Sequence, residues 1–380
     1  MMPEQLLLTV FLASTAVYLL FLAILHKGLR MAQAPAHRHT GRPLFLSVII
    51  PCRNEAATIE RNIAGLLAQT YPTEQFEILY VDDNSSDNTA DLIRPHVDGT
   101  HIRVIRLVKA DGSGAGKKQA LTKGIAEARG EIIVTSDADC SYPAGWLTTI
   151  AEHFTEEIGF LSSPVAFLSG SSIFSEIQSL EFAGLVLTGA ALIGLQRPVI
   201  CNGANVAYRK TLFEKNGGFA DGAQLSSGDD ELVMRKIHAS GTHHVAFLYS
   251  AEAVVQTAPS PTIGEFFSQR IRWASKGRHY HPLFVFTVLI PVFVFFCMLC
   301  LFPVFLLCGY SYLAANIAAA FMVKAGLELG LLHRGKALLS LRLRFLIFLF
   351  AEIVHPWYIV AAAVMGTFGG FSWKGRDLSK

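Results

Sequence analysis

Charge is scarce in this chain. Asp, Glu, Lys and Arg make up 16% of its 380 residues and hydrophobic residues 52%, against roughly 25% charged in an average soluble protein. The net charge of +2 makes no case for nucleic acid, which a strong basic excess would signal. Charge is wholly missing from Leu6–Leu25, an uncharged run of 20 residues, the length that crosses a bilayer core. No Lys or Arg precedes that run. Glu4 does, while Lys27, Arg30, Arg38 and Arg42 follow it. A secretory signal carries its positive charge first. The run therefore reads as a permanent anchor, with the N-terminus outside and the bulk of the chain cytoplasmic.

Cysteine is sparse too. Cys52, Cys140 and Cys201 are scattered through the expected cytoplasmic part, a reducing setting that excludes a disulfide framework. Cys297 and Cys300 have zinc-like spacing but sit in an apolar run with no second ligand pair; with Cys308 they read as core or lipid-facing thiols. A phosphate loop is also absent. In "DGSGAGKKQ" Asp111 stands where the first glycine belongs, Lys118 where Ser or Thr is needed, and Lys117 where G-x-G-x-x-G has its third glycine. Neither an NTPase nor a dinucleotide dehydrogenase is supported. No internal repeat is visible.

What the chain has, from Leu46 to about Val255, is alternation. "LSVIIP" (46–51), "FEILYVDD" (76–83), "IRVIRLV" (102–108) and "EIIVTSDAD" (131–139) read as strands. Between them lie the helical patterns "EAATIERNIAGLLAQ" and "GKKQALTKGIAEARG", the second closed by Gly130. This is the signature of an α/β domain with a mostly parallel sheet. The segment 171–198, broken by Gly184, Gly189 and Gly194, reads as a helix at the membrane–domain boundary or a buried one. Leu283–Cys308, Tyr310–Leu332 and Phe345–Phe368 are further apolar stretches. Three crossings there would leave either the basic loop 333–344 or the basic tail outside, contrary to the positive-inside rule. The last stretch is re-entrant or the rule fails at the tail. The expected division is an anchor (1–27), a soluble domain (46–280), a C-terminal membrane region (281–370) and a basic tail (371–380).

Open parallel sheets bind ligands at the carboxyl ends of their strands. Asp82 and Asp83 end the second strand, and Asp137 and Asp139 the fourth. A single such carboxylate is explained by turn formation; two pairs at neighbouring strand ends are not so easily dismissed. The i, i+2 spacing of Asp137 and Asp139 lets both approach one hard cation, Mg²⁺ or Mn²⁺, with substrate phosphates completing the shell. Asp229, Asp230 and Glu231 open a predicted helix, where capping alone accounts for acids; a general base is the functional alternative.

In order along the chain, "VIIPCRNEAATIERNIAGLLAQTYP", "EILYVDDNSSDNT", "GKKQALTKG", "VTSDADC", "NGANVAYRKTLFEKNGGF", "SSGDDEL" and "QRIRW" resemble the motif ladder of family 2 glycosyltransferases over about residues 46–280. The resemblance implies a Rossmann-like GT-A fold and transfer from a nucleotide sugar, a UDP-sugar, with inversion. It assigns Pro51, Glu55, Asp82, Asp83 and Lys117 to the nucleotide, with Asp137 and Asp139 as the D-x-D motif and Asp139 on the metal. It assigns Gly203 and Asn205 to the acceptor. Asp230 matches the catalytic base; Asp229 precedes it where many relatives carry Glu, so both stay candidates. Gln269, Arg272 and Trp273 match Q-x-x-R-W, the motif of members acting at a membrane. Arginine is a rigid fork suited to diphosphate, tryptophan a flat face for an acceptor, and glutamine can orient polar groups.

The layout is most similar to ceramide glucosyltransferases and related bacterial lipid glycosyltransferases, including the closing "FSWKGR" (371–376). The resemblance implies a multi-pass cell-membrane enzyme with its catalytic domain in the cytoplasm and a membrane lipid as acceptor. The alternative is a polysaccharide synthase of the cellulose, hyaluronan or poly-N-acetylglucosamine type. A third class, a transporter or receptor that only binds nucleotide, would use Lys324, Glu328, Glu352 and His355 as intramembrane charges. It would have no need of an acidic base beside a cationic clamp. The residues specify neither the sugar nor the oligomeric state.

Overall fold

The computed structural model describes residues 3–34, 39, 41–107, 116–170, 172–220 and 228–368, with the pairs 372–373 and 376–377. The glycine-rich stretch before Gly116, Ser226 and Ser227, and most of the basic tail lie outside the described residues.

The domain is built on strands β1 (Leu46–Cys52), β2 (Phe76–Asp82), β3 (Ile102–Arg106), β4 (Ile132–Thr135), β5 (Ile158–Ser162), β6 (Val165–Phe167), β7 (Val206–Arg209), β8 (His244–Phe247) and β9 (Val255–Thr257). Seven form one sheet in the order β3-β2-β1-β4-β7-β5-β8. All neighbours run parallel except β7, which is antiparallel to β4 and β5. β6 and β9 make a small parallel pair. β1 and β2 are buried nearly throughout, which is why they read as continuous apolar runs rather than alternating ones. The chain leaves β1 toward β2 and β3 and returns to its other side with β4. This topological switch point opens a crevice beyond the carboxyl ends of β1 and β4.

The expected strand 131–139 stops at Thr135, freeing Asp137 and Asp139 into the crevice. The helix after Gly116 ends at Glu127, so Gly130 does not close it. Gly130 instead lets two chain segments touch: a Cβ there would lie 2.6 Å from the Ser47 nitrogen.

Among the described residues, five helices are long and apolar enough to cross a membrane: Glu4–Ala32, Ile173–Gly194, Pro282–Cys300, Ser311–Gly335 and Phe345–Thr367. Ile173–Gly194 is continuous despite its glycines, and Gly194 serves close packing rather than breakage. A Cβ on Gly28 would sit 2.2 Å from the Ala191 carbonyl oxygen, and one on Gly194 2.4 Å from the Gly28 oxygen. Backbone meets backbone where these two helices cross, as small residues allow.

Contacts orient the helices relative to the domain. Leu313 N donates to Glu4 at 3.3 Å, pairing two ends remote from the sheet. Tyr249 of the domain donates to the Arg334 carbonyl at 2.9 Å and accepts from Gln33 at 2.9 Å, pairing the opposite ends. Phe345–Phe368 behaves differently. Arg344, just before it, binds Glu176 at 2.8 Å, while a Cβ on Gly366 would lie 2.8 Å from the Ile271 carbonyl oxygen. Both its ends therefore lie against domain-side helices. Lys324, fully buried, joins Glu328 at 3.0 Å and also Glu352, and Tyr18 donates to Glu328. These charges satisfy one another inside the helix bundle, as buried charges must.

Candidate active site

Strand ends and helix starts converge on one cavity of about 720 Å³. At its polar end, β1 runs into Pro51, Arg53 and Glu55, which line it with Asp83 and Lys117. Asn54 and Asn84 hold left-handed φ values of 55° and 56°, a conformation asparagine tolerates better than most residues. Asn54 accepts from Ser86 N at 2.8 Å and donates its own N–H to Ser85 at 3.0 Å. The two strand-end loops are thus tied together before any ligand arrives. Asp83 accepts from Gly116 N at 2.9 Å. Gly116, at φ +92°, makes the turn that starts the helix carrying Lys117.

Lys117 Nζ lies 2.5 Å from Asp137 Oδ1. Burial works against its charge, but Asp137 and Asp230 outweigh it and hold the ammonium above its usual value. Asp139 Oδ2 accepts from Thr257 Oγ1 of β9 at 3.0 Å. Neighbouring Cys140 offers no soft ligand, since burial, then Asp139 and Asp137, push its thiol well above the usual range. Asp137 and Asp139 are an all-oxygen donor pair on one turn, which fits a hard divalent cation better than zinc.

The helix Asp229–Ala239 delivers the other acids. Lys118 Nζ holds Asp229 Oδ1 at 3.0 Å, and Lys276 Nζ holds Glu231 Oε1 at 3.1 Å. Asp230, between them, lines the cavity. Burial lifts its pKa from 3.8 to about 6, opposed by Lys117 and reinforced by Asp229 and Asp137. Gly203 packs against it so closely that a Cβ would fall 1.7 Å from Asp230 Oδ2. Any side chain at 203 must displace the carboxylate.

Toward the apolar helices, Thr262 caps the helix Ile263–Ala274 by accepting from Glu265 N at 3.2 Å. That helix presents Gln269, Arg272 and Trp273 to the cavity. Burial pulls the Arg272 guanidinium below its usual value, against the pull of Asp137. Trp273 stacks on Phe182 at 5.9 Å. Arg270 lies over its other neighbours, 4.2 Å from the Phe266 ring and 4.6 Å from the Trp273 ring, and forks onto Glu181 while donating to Gln269.

Pro51, Glu55, Asp83, Lys117, Asp137, Asp139, Gly203, Asp229, Asp230, Gln269, Arg272 and Trp273 thus share one cavity. Two predicted residues stand apart. Asp82 is 1% exposed; it accepts from Ser85 N at 3.1 Å and lies 3.5 Å from Arg106, outside the cavity lining. Asn205 is fully buried, accepting from Trp146 at 2.9 Å and donating to the Pro164 and Ala253 carbonyls at 2.7 and 2.8 Å. With its amide so occupied it cannot meet an acceptor, and its place is structural. Thr257, Lys276 and the Glu181–Arg270 pair were not singled out from sequence. A glutamate in the midst of an apolar helix was the available signal for Glu181.

Residues 47–217 match the family model described as glycosyl transferase family 2. The probable glycosyltransferase YdaM of Bacillus subtilis (strain 168) is 27% identical over 241 residues, 62% of this chain and 55% of that protein. A poly-beta-1,6-N-acetyl-D-glucosamine synthase of Staphylococcus aureus (strain COL) is 28% identical over 240 residues, 61% of this chain and 54% of that protein. The chain spans about half the length of these curated relatives. The structure of mannosyltransferase PcManGT from Pyrobaculum calidifontis, in complex with GDP-Man and Mn²⁺, superposes with a TM-score of 0.60 at 21% identity, covering 95% of this chain and 98% of that one. At that identity the likeness speaks for the fold alone.

Proposed function

From a chain that carries a family 2 glycosyltransferase domain with the GT-A fold, we propose a membrane-bound inverting glycosyltransferase. It moves a sugar from a nucleotide sugar, a UDP-sugar, to a lipid hydroxyl. One observation carries this reading. The cavity that holds Asp83, Asp137, Asp139 and Asp230 is walled on its other side by Leu185, Leu289, Ile359 and Ala362, all from long apolar helices. A water-soluble acceptor has no use for such a wall.

In this reading Glu55, Asp83 and Lys117 hold the nucleotide. Asp139, with Asp137, would hold a divalent cation, Mg²⁺ or Mn²⁺, which would neutralise charge on the diphosphate. Asp230 takes the acceptor's proton as its oxygen bonds to the anomeric carbon from the face opposite the diphosphate. Asp229 is already paired with Lys118, which favours Asp230 as base. Arg272 stabilises charge growing on the leaving nucleoside diphosphate, and Trp273 is a platform for the acceptor.

The helix contacts support one topology for this enzyme. Glu4–Ala32, Pro282–Cys300 and Ser311–Gly335 span. Ile173–Gly194 lies between two strands of the domain, and Phe345–Phe368 starts and ends on the domain side. In this reading, with three spans, the domain 46–280 and both basic segments are cytoplasmic in a cell-membrane protein, in keeping with the positive-inside rule. The anchor is then 1–27 continued to Ala32, and 281–370 is a membrane region with a re-entrant last helix.

Purified protein incubated with radiolabelled nucleotide sugars and membrane lipids tests the reading: label should become extractable into organic solvent. Label in a water-insoluble polymer instead would favour the second reading, a polysaccharide synthase, which the synthase relative supports. Binding without turnover would leave only a nucleotide receptor.

A further inference from the structure

Arg270 stands among Gln269, Arg272 and Trp273 on the same helix, yet each of its three side-chain nitrogens is committed to the protein. The residue is 3% exposed. Nε donates to Glu181 Oε1 at 3.0 Å and Nη2 to Glu181 Oε2, while Nη1 donates to Gln269 Oε1. The rings of Phe266 and Trp273, one turn before it and one turn after, lie 4.2 and 4.6 Å from its guanidinium. Trp273 stacks in turn on Phe182, the neighbour of Glu181, and Phe182 on Phe167 of β6 at 4.3 Å. Phe266 meets Tyr358 of the last helix edge-on at 5.4 Å, and Tyr358 also hydrogen-bonds Glu181. One ion pair is therefore set in a column of rings that runs from the sheet to the last helix.

Stability alone gives little reason for the pair, because apolar side chains of similar volume commonly replace a buried ion pair without loss. What the pair adds is direction. Arginine only donates hydrogen bonds, so Arg270 takes the carbonyl end of the Gln269 amide. The two N–H donors at the other end are left for the cavity that Gln269 lines. We propose that Glu181 and Arg270 are positioning residues for the transfer reaction. Glu181 fixes the Arg270 guanidinium, which turns the Gln269 amide nitrogen toward a hydrogen-bond-accepting oxygen of the substrate and sets the tilt of the Trp273 indole. The inference rests on the glycosyltransferase reading above but on neither choice of acceptor.

The test uses the full-length protein in vesicles made from the total lipid of the expressing cells, with radiolabelled UDP-sugars, following label into lipid and into polymer. Glu181→Gln should lower kcat for transfer by about ten- to a hundredfold, the cost of misplacing a group by about an ångström. The UDP-sugar KM should stay within about twofold, as when an interaction made only in the transition state is lost. Gln269→Glu keeps an oxygen for Arg270 but loses the donors, and should show the same split. Glu176→Gln breaks the comparable pair with Arg344 earlier on the helix that carries Glu181, outside the cavity lining; it should lower the melting temperature and leave kcat unchanged. The double variant Glu181→Leu with Arg270→Met removes both charges and covers the case in which a broken pair unfolds the protein. It should melt no lower than the parent and still transfer at least about tenfold more slowly. Parental kcat in the double variant, or equal losses of kcat in Glu176→Gln and Glu181→Gln, would overturn the proposal and leave the pair as packing. A parent protein that labels neither lipid nor polymer would instead refute the transfer reading on which the proposal rests.

Discussion

Replacing Asp230 with Asn separates the two consequences of placing a carboxylate in this cavity. Burial is the largest cause of its rise from 3.8 to about 6. At about 1.4 kcal/mol per pH unit, and allowing for its partly exposed surface, the ionised group costs the folded state roughly 1–3 kcal/mol. The sign follows from proton linkage. The folded value exceeds the unfolded one, so the folded protein binds more protons between them. This group's contribution to stability is present below pH 3.8 and lost as pH rises through about 6. Asparagine is neutral throughout and escapes the loss. Asp230→Asn should therefore melt higher than the parent at pH 8, by about 2–4 °C per kcal/mol for a domain of this size. At pH 5 the gap should be about half as large, closing only below pH 3.8. Turnover should fall by about 10²–10⁴ with nucleotide-sugar affinity kept, and the parent's kcat/KM should decline below about pH 6. Thermal unfolding in detergent at both pH values, with a binding assay, measures all of this. A stability difference independent of pH, or the whole pattern appearing in Asp229→Asn instead, would refute the assignment.

Asp139→Ala should abolish transfer while changing stability by less than about 1 kcal/mol; full parental activity in excess chelator would exclude the metal. Gly203→Ala, whose Cβ would fall 1.7 Å from Asp230 Oδ2, should lose turnover much as Asp230→Asn does without unfolding, and near-parental rates would show that the carboxylate works elsewhere. Trp273→Ala should weaken transfer to lipid more than slow hydrolysis of the nucleotide sugar, whereas Arg272→Ala should impair both; equal losses in Trp273→Ala would leave the indole as support. Protease added to intact cells should spare 46–280 and the loop 336–344 and should reach only the turn near Gly309; cleavage within the domain would overturn the topology.

The carboxylates were legible because their position is forced by chemistry. Asp83, Asp137 and Asp139 follow strands whose apolar runs are unmistakable, and an open sheet has its ligand crevice there. Which of two adjacent acids faces the crevice was not legible. Neighbours on a strand point to opposite sides, and whether Asp82 or Asp83 turns inward depends on where β2 ends and which N–H groups wait beyond it. Asn205 shows a related limit: a motif position can be retained for burying an amide among Trp146, Pro164 and Ala253 as readily as for touching substrate. The Glu181–Arg270 pair spans 89 residues and leaves no local periodicity to read. The last apolar helix is the strongest case. Hydropathy assigned Phe345–Phe368 its bounds, but apolarity reports only the cost of exposure to water. Whether the helix crosses depends on where its ends are held. Arg344 on Glu176 at one end and Gly366 against Ile271 at the other hold both on the domain side. The basic loop and the basic tail can then share one side of the membrane, so the helix contacts remove the conflict with the positive-inside rule that a fourth crossing would create.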